Sequence, residues 1–324
     1  MRTRLIRLID RLAPLLYRLI GKILRTHAFL GPQQMPNAHR ALDRWGIACL
    51  PYHYYQPVYN PADLPEKIWT QQDPLLGVEM NTDAQLALLA QFDYNAELAQ
   101  FLLQPPHAAN VPGRTQGFYH RNGMYENGDA EILYSMIRHF QPARMIEVGS
   151  GFSTKLARCA LARNQEDGKH CRHLCIEPYE NPWLEALDGI EVLRQKVEDV
   201  DDEAFQALGA GDILFLDSSH VLRTGGDVFY EYLRILPSLN PGVLVHIHDI
   251  FLPFDYPRSW VVDRRSFWTE QYLLQAFLAF NTQFEVVIAV NYLAHFHPSA
   301  LLRNCPSLAG ESEPGGGAFW LRRK

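Results

Sequence analysis

From Asp129 onward, short apolar runs alternate with amphipathic stretches, and nearly every run closes on a polar residue. DAEILYSMIRHF has helical spacing behind an acidic cap, ARMIEVG reads as a strand and STKLARCALARNQ as a helix. HLCIEP, IEVLRQKV, GDILFLD and GVLVHIHD continue as strands, with PWLEAL, DDEAFQAL, GDVFYEYLRILPSL and FWTEQYLLQAFLAF as the helices that follow them. FEVVIAVNYLAHF and GAFWLRRK are read as late strands. Such alternation predicts right-handed βαβ units and an α/β fold with a mostly parallel sheet covered on both faces. Runs such as ILFL and VLV lack polar alternation, as strands buried on both faces do. No helix is read between the last two strands, so an antiparallel C-terminal hairpin is expected there.

The alternating region is assigned to residues 118–324, and two further segments precede it. Residues 27–117 read as a helical and aromatic-rich extension. Its first part, to about residue 75, includes HYYQPVYNPADLP and is expected to be an ordered loop segment. Residues 82–104 have a helical pattern capped by Thr82 or Asp83 and ended by Pro105-Pro106. Residues 1–26 hold seven Lys/Arg and one acid. Leu5, Leu8, Ile9, Leu12, Leu16, Leu19, Ile20 and Ile23 recur at helical spacing, with Arg4, Arg7, Arg11, Arg18, Lys22 and Arg25 on another stripe. This predicts a basic amphipathic helix, bent near Pro14. It has two readings: docking on the protein itself or on a second subunit in a homo-oligomer, or peripheral contact with an anionic membrane surface.

Composition narrows the class. Hydrophobic residues at 47% and charged residues at 20% exclude a largely disordered chain. A net charge of −6 supplies no general basic field, so no nucleic-acid partner is expected. The five cysteines are odd in number and form no CxxC pair, which fits free thiols in a cytoplasmic protein rather than zinc or disulfides. Arginines interrupt each apolar run of the first helix, and no run approaches the roughly 18 to 20 residues of a membrane span.

In an open α/β sheet a ligand binds beyond the carboxyl ends of the strands, so strand ends are where function is sought. The first strand ends in Glu147-Val148-Gly149-Ser150-Gly151-Phe152-Ser153-Thr154. The two glycines allow a tight turn and close approach to a ligand, and Ser153 or Thr154 can cap the next helix. Thr154 stands where the dinucleotide fingerprint has its third glycine, and Glu147 would sit poorly beside a pyrophosphate. Glu147 could hold backbone amides or face a cationic ligand instead. Glu177 ends the second strand, where an acid can accept from both hydroxyls of a ribose or cap a helix. Asp199, after the third strand, could meet an adenine amino group or face solvent.

Taken together, E-x-G-x-G-x-S and the strand-ending acid resemble the cofactor site of class I S-adenosylmethionine-dependent methyltransferases. IEVGSGFST, IEPY, DILFLDSSH, HIHDIFLP and FWTEQYLLQAF are similar to one bacterial branch of that superfamily. The resemblance covers roughly residues 118–324 and implies a Rossmann-like sandwich of seven strands. It places the last strand antiparallel between its neighbours. It also implies S-adenosylmethionine (SAM) as cofactor, held by Glu147, Gly149, Ser150, Gly151, Ser153, Glu177, Asp199 and Asp217.

The fourth and fifth strands end at Asp217, with His220 just beyond, and at His248-Asp249. Asp217, His248 and Asp249 form a candidate set of divalent-cation ligands, resembling metal-dependent O-methyltransferases except that a histidine opens the second pair. That histidine suits Mn²⁺, Zn²⁺ or Fe²⁺ better than Mg²⁺. Without a metal, His220 or His248 is the candidate general base. His246 shares a strand face with His248 and reads equally well as a core histidine, and Asp227 as a helix cap. Tyr256, Arg258, Trp260, Arg264 and Trp268 lie on a long aromatic loop that could wall an acceptor pocket or pack on the domain. The expected activity is methyl transfer from SAM to a hydroxyl of a small molecule or sugar, with N-methylation close behind. A non-catalytic binding protein of the same fold and a nicotinamide-dependent oxidoreductase are the alternatives.

Overall fold

The computed structural model describes residues 2–101, 117–126, 128–179, 181–310 and 315–324. The chain divides into two units. The smaller, residues 1–66 with 258–267, contains α1 (Arg2–Gln34) and α2 (Pro36–Asp43). The first helix runs on through Pro14, and its non-helical residue is Gly31. The helical path thus outlasts the expected end at residue 26. Gly31 lies in the left-handed half of backbone space and is followed by Pro32, which disfavours a helical residue before it. Most of the aromatic-rich stretch after α2 is irregular, as its Pro and Tyr content predicts.

The larger unit, residues 67–257 with 268–324, holds the sheet. The helical pattern at 82–104 is broken: α3 (Thr82–Leu89) and α4 (Asn95–Leu98) flank a turn, and residues 102–116, with Pro105-Pro106, lie outside the described residues. Then follow α5 (Asp129–Phe140), β1 (Arg144–Val148), α6 (Phe152–Glu166), β2 (Arg172–Ile176), β3 (Glu191–Leu193), α7 (Asp202–Gln206) and β4 (Ile213–Leu216). After these come α8 (Asp227–Tyr230), a wider-wound stretch at Glu231–Ile235, α9 (Leu236–Ser238), β5 (Leu244–Ile247) and α10 (Glu270–Leu278). The chain ends in β6 (Phe284–Ala289), α11 (Val290–Phe296), α12 (Pro298–Leu302) and β7 (Phe319–Arg323).

The seven strands stand in the order β3-β2-β1-β4-β5-β7-β6, a Rossmann-like α/β sheet. Neighbours are parallel except at β7, which runs antiparallel between β5 and β6. β6 and β7 pair antiparallel as expected, but two helices stand between them in the chain where none was expected. VNYLAHF continues the apolar run of β6 but folds as α11, and α12 follows before the chain turns back. A continuous apolar run does not distinguish a buried strand from a buried helix, and here it is both in succession.

Alternate residues of each strand enter opposite cores. Ile146, Val148, Leu214, Leu216, Val245 and Ile247 pack with Phe205, Tyr232 and Leu274 on one face. Met145, Ile213, Phe215, Leu244 and Trp320 pack with α5 and α6 on the other. Register carries Cys175, Glu147, Phe215, His246 and Trp320 side by side along this second face. The order reverses between β1 and β4, so the connections after them part there and open a crevice at the carboxyl ends.

Candidate functional site

The crevice holds a cavity of about 400 Å³, lined by Gly149 from β1, Glu177 and Tyr179 after β2, Lys196 and Glu198 after β3, and Asp217 and Asp227 beyond β4. Gly149 is what closes the β1 end of it. Its φ of +79° is left-handed, and its amide donates to the Ile176 carbonyl at 3.0 Å. A Cβ there would stand 1.8 Å from the carbonyl oxygen of Asp217, so β1 and β4 meet through a gap only glycine leaves.

Glu177 is 8% exposed, with its carboxylate held by two backbone amides. Ser150 N donates to Oε2 at 3.3 Å and Tyr179 N donates to Oε1 at 2.9 Å. These bonds fix the group at the cavity wall. Ser150 contributes through its backbone, and its carbonyl accepts from Asn181 Nδ2 at 2.7 Å. Gly151 donates to Thr154 Oγ1 at 2.9 Å and so starts α6. Two positions depart from expectation. Glu147 does not reach the cavity: it is fully buried on the α5–α6 face of the sheet, accepting from Ser153 Oγ at 2.6 Å and paired with His173 Nε2 at 3.0 Å. It therefore anchors the start of α6, with Ser153 as its partner. Asp199 is exposed and off the cavity, and Glu198 is the acid that lines it.

Beyond β4 and β5 the structure gathers six titratable groups. His248 Nδ1 lies 3.3 Å from Asp217 Oδ1 and 3.7 Å from Asp249 Oδ1. His220 Nε2 lies 3.3 Å from Asp217 Oδ1 and 3.5 Å from Asp249 Oδ2. Each imidazole has a second carboxylate on its far nitrogen: Asp129 Oδ2 at 3.2 Å from His248 Nε2, and Glu270 Oε2 at 2.9 Å from His220 Nδ1. Asp129 is itself clamped, accepting from Gly317 N at 2.8 Å and Ala318 N at 2.7 Å. Glu270 accepts from Tyr232 Oη at 3.1 Å. His220 and Asp249 both hold left-handed backbone, an unusual state for such residues and one concentrated at functional sites.

Burial alone would depress both imidazole pKa values, but the surrounding carboxylates reverse this and raise them above the ordinary range. Burial pushes the Asp217 carboxyl up, and the two histidines more than offset it, holding it well below the usual range. Asp249 is raised, chiefly by burial. His246 is different: burial drives its pKa well down, its ring stacks on Phe215 at 4.1 Å, and Nε2 meets Tyr125 Oη at 3.2 Å. It is a neutral core histidine.

Asp217, His248 and Asp249 bring one donor atom each within 4.8 Å of one another. The fit to a divalent cation is good on charge. Four carboxylates face two imidazoles, so two negative charges remain formally unbalanced even with both rings protonated. It is good on orientation too, because a carboxylate on the far nitrogen of a ligating imidazole fixes its lone pair toward the ion. Glu147, His173 and Cys175 form a second trio of donor atoms, but all three are buried beneath α6 and away from the cavity. Burial pushes the Cys175 thiol pKa up, which works against a thiolate ligand.

The aromatic loop after β5 is shared between the units. Trp268 packs on His220 with ring centroids 4.4 Å apart, and buried Tyr256 accepts from Gln271 N at 3.0 Å. Arg258, Trp260 and Arg264 belong to the smaller unit, where Arg258 meets Glu66 at 3.6 Å and Arg264 lies over Trp260. Asp227, at the start of α8, accepts from Ser219 N at 3.0 Å and Ser219 Oγ at 2.6 Å, so it holds the turn after β4 as well as lining the cavity. Asp129, Glu270 and Lys196 escaped sequence reasoning. The first two lie at helix starts, where an acid already has an explanation as a cap.

Residues 146–250 match the family model described as a methyltransferase domain. An uncharacterized protein of Archaeoglobus fulgidus is 29% identical over 167 residues, covering 49% of this chain and 72% of that protein. A Thermobifida fusca protein solved as a candidate methyltransferase is 15% identical, covering 80% of this chain and 98% of its own, at a TM-score of 0.37. An O-methyltransferase from Bacillus cereus, solved in complex with SAH, is 13% identical over 75% of this chain and 91% of its own, at a TM-score of 0.33. Likenesses at these TM-scores fix neither substrate nor mechanism.

Proposed function

We propose that the chain is a SAM-dependent methyltransferase, as the match of residues 146–250 to a methyltransferase-domain family suggests, and that it transfers a methyl group from SAM to a hydroxyl of a small-molecule acceptor beside Asp217, His248 and Asp249. The observation that carries this is the placement of Glu177 and Asp217 on one cavity at the strand-order reversal, with the six-group cluster directly beyond it. Glu177, fixed by two amides, accepts from the two ribose hydroxyls. Gly149 lets the β1 turn approach the cofactor closely, and Asp217 lies between cofactor cavity and cluster.

Asp217, His248 and Asp249 would hold a divalent cation, with Asp129 orienting His248 through its far nitrogen. Such an ion, when bound, acidifies and orients an acceptor hydroxyl. His220 stands across the same two aspartates with Glu270 behind it, and as an imidazolium it would hold both carboxylates in place beside the acceptor. Methyl transfer is an in-line displacement, so the protein's main contribution is to align oxygen, methyl carbon and sulfur. Trp268 covers His220 and limits water there.

Calorimetric titration with SAM and with S-adenosylhomocysteine tests the cofactor, and repeating it with EDTA and then with Mg²⁺ or Mn²⁺ tests the cation. One-site binding that Glu177→Ala weakens is the expected result. Absence of binding in every condition refutes the proposal.

A further inference from the structure

In α1, at about 100° per residue, Arg7, Arg11, Arg18, Lys22 and Arg25 fall within an arc of about 60°. Leu8, Leu12, Leu15, Leu16, Ile20 and Ile23 lie on the broad adjoining face, and each is between 41% and 58% exposed. None of these six side chains is buried. Seven of the chain's 30 Lys/Arg but one of its 36 acids fall in residues 1–26, so the positive charge is concentrated on this helix while the chain as a whole is acidic.

We propose that α1 lies flat on an anionic lipid surface, its apolar face among the acyl chains and its basic row against phosphate headgroups. Three observations favour this occupant over a second copy of the chain. The cations border the apolar face, which is where a helix lying at the membrane surface meets the headgroups. Pairing two copies antiparallel through the same face would put both basic rows on one side of the pair, with Asp10 as the lone acid of each helix to offset them. The same unit also exposes Trp45 by 82%, Tyr54 by 82% and Tyr55 by 79%, and such amphipathic rings favour the boundary between lipid and water. The helix lies on the surface rather than across it, since no helix among the described residues is long and apolar enough to cross a membrane.

The test is flotation of the purified full chain with vesicles of phosphatidylcholine alone or mixed with phosphatidylglycerol, at low and high salt. The mixed vesicles are expected to bind roughly tenfold more protein or better, and raised salt to release it. Arg11→Glu/Arg18→Glu and Leu12→Glu/Leu16→Glu are each expected to cut binding about tenfold while leaving the melting temperature unchanged, because these side chains are on the surface. Equal binding to both vesicle types, or binding indifferent to the charge reversal, overturns the proposal. So does a wild-type dimer that Leu12→Glu/Leu16→Glu converts to monomer with no flotation of either form, a result that gives the face to a second copy. None of these readouts depends on methyl transfer.

Discussion

Replacing Gly149 by alanine separates the two glycines of the β1 turn, which look equivalent in sequence. At Gly149 the φ of +79° costs an L-residue about 1–2 kcal/mol. The added Cβ would lie 1.8 Å from the Asp217 carbonyl oxygen, a backbone atom that cannot rotate away. Restoring an ordinary contact moves the ends of β1 and β4 apart by more than about 1 Å. That strains the bond from Gly149 N to Ile176 O, now 3.0 Å, and the bond from Asp217 N to Val148 O, now 2.9 Å, each worth about 1 kcal/mol. Alanine returns up to about 1 kcal/mol by restricting the unfolded chain. The net loss is about 2–3 kcal/mol, or roughly 4–12 °C in melting temperature for a unit of this size. At Gly151 the backbone is extended and the nearest atom to an added Cβ is Asn181 Nδ2 at 3.9 Å, so alanine there costs about 1 kcal/mol or less. Thermal melts of both variants, followed by titration with S-adenosylhomocysteine, provide the comparison. Equal melting temperatures for Gly149→Ala and wild type would refute the reasoning.

Glu177→Ala removes a charged acceptor from the cavity and is expected to weaken SAM binding tenfold or more, as read by calorimetry. Unchanged affinity would take Glu177 out of the ribose site. Asp249→Ala is expected to lower turnover about a hundredfold or more, with SAM affinity nearly intact, and full activity would remove it from the chemistry. Glu97 offers a pH test away from the site. Burial raises its pKa, but hydrogen bonds from Arg138 at 2.9 Å and Tyr134 at 2.6 Å more than offset this and lower it from 4.5. A depressed carboxylate contributes stability that is present above its unfolded pKa and lost as pH falls through the folded one. The melting-temperature gap between wild type and Glu97→Gln should therefore narrow as pH drops below 4.5, and a widening gap would contradict the pairing.

What the sequence makes legible here follows from local pattern. Apolar runs that stop at Glu177, Asp217 and His248-Asp249 announce both strand and strand end, so these residues can be placed without knowing their neighbours. Asp129 cannot be placed in this way. It looks like any acid opening a helix, and only the return of β7 supplies the amides that turn it toward His248. Glu147 is hidden for the opposite reason. It belongs to the glycine motif, but strand alternation turns it to the face opposite Val148, next to Cys175, and so away from the cavity at the strand ends. The apolar stretch after Ala289 carries too little periodicity to reveal where strand gives way to helix.

The clamp on Asp129 reaches 188 residues along the chain to Gly317. Gly316 and Gly317 pass so close to Asp129 and Asp249 that a Cβ on either would overlap them. The cluster is therefore finished from behind by the segment leading into β7, the last of the seven strands in chain order. Without that segment in place, Asp217, His220, His248 and Asp249 would stand at their strand ends but lack the brace that aims His248. Insertion of β7 between β5 and β6 and alignment of the cluster are thus two aspects of one packing step.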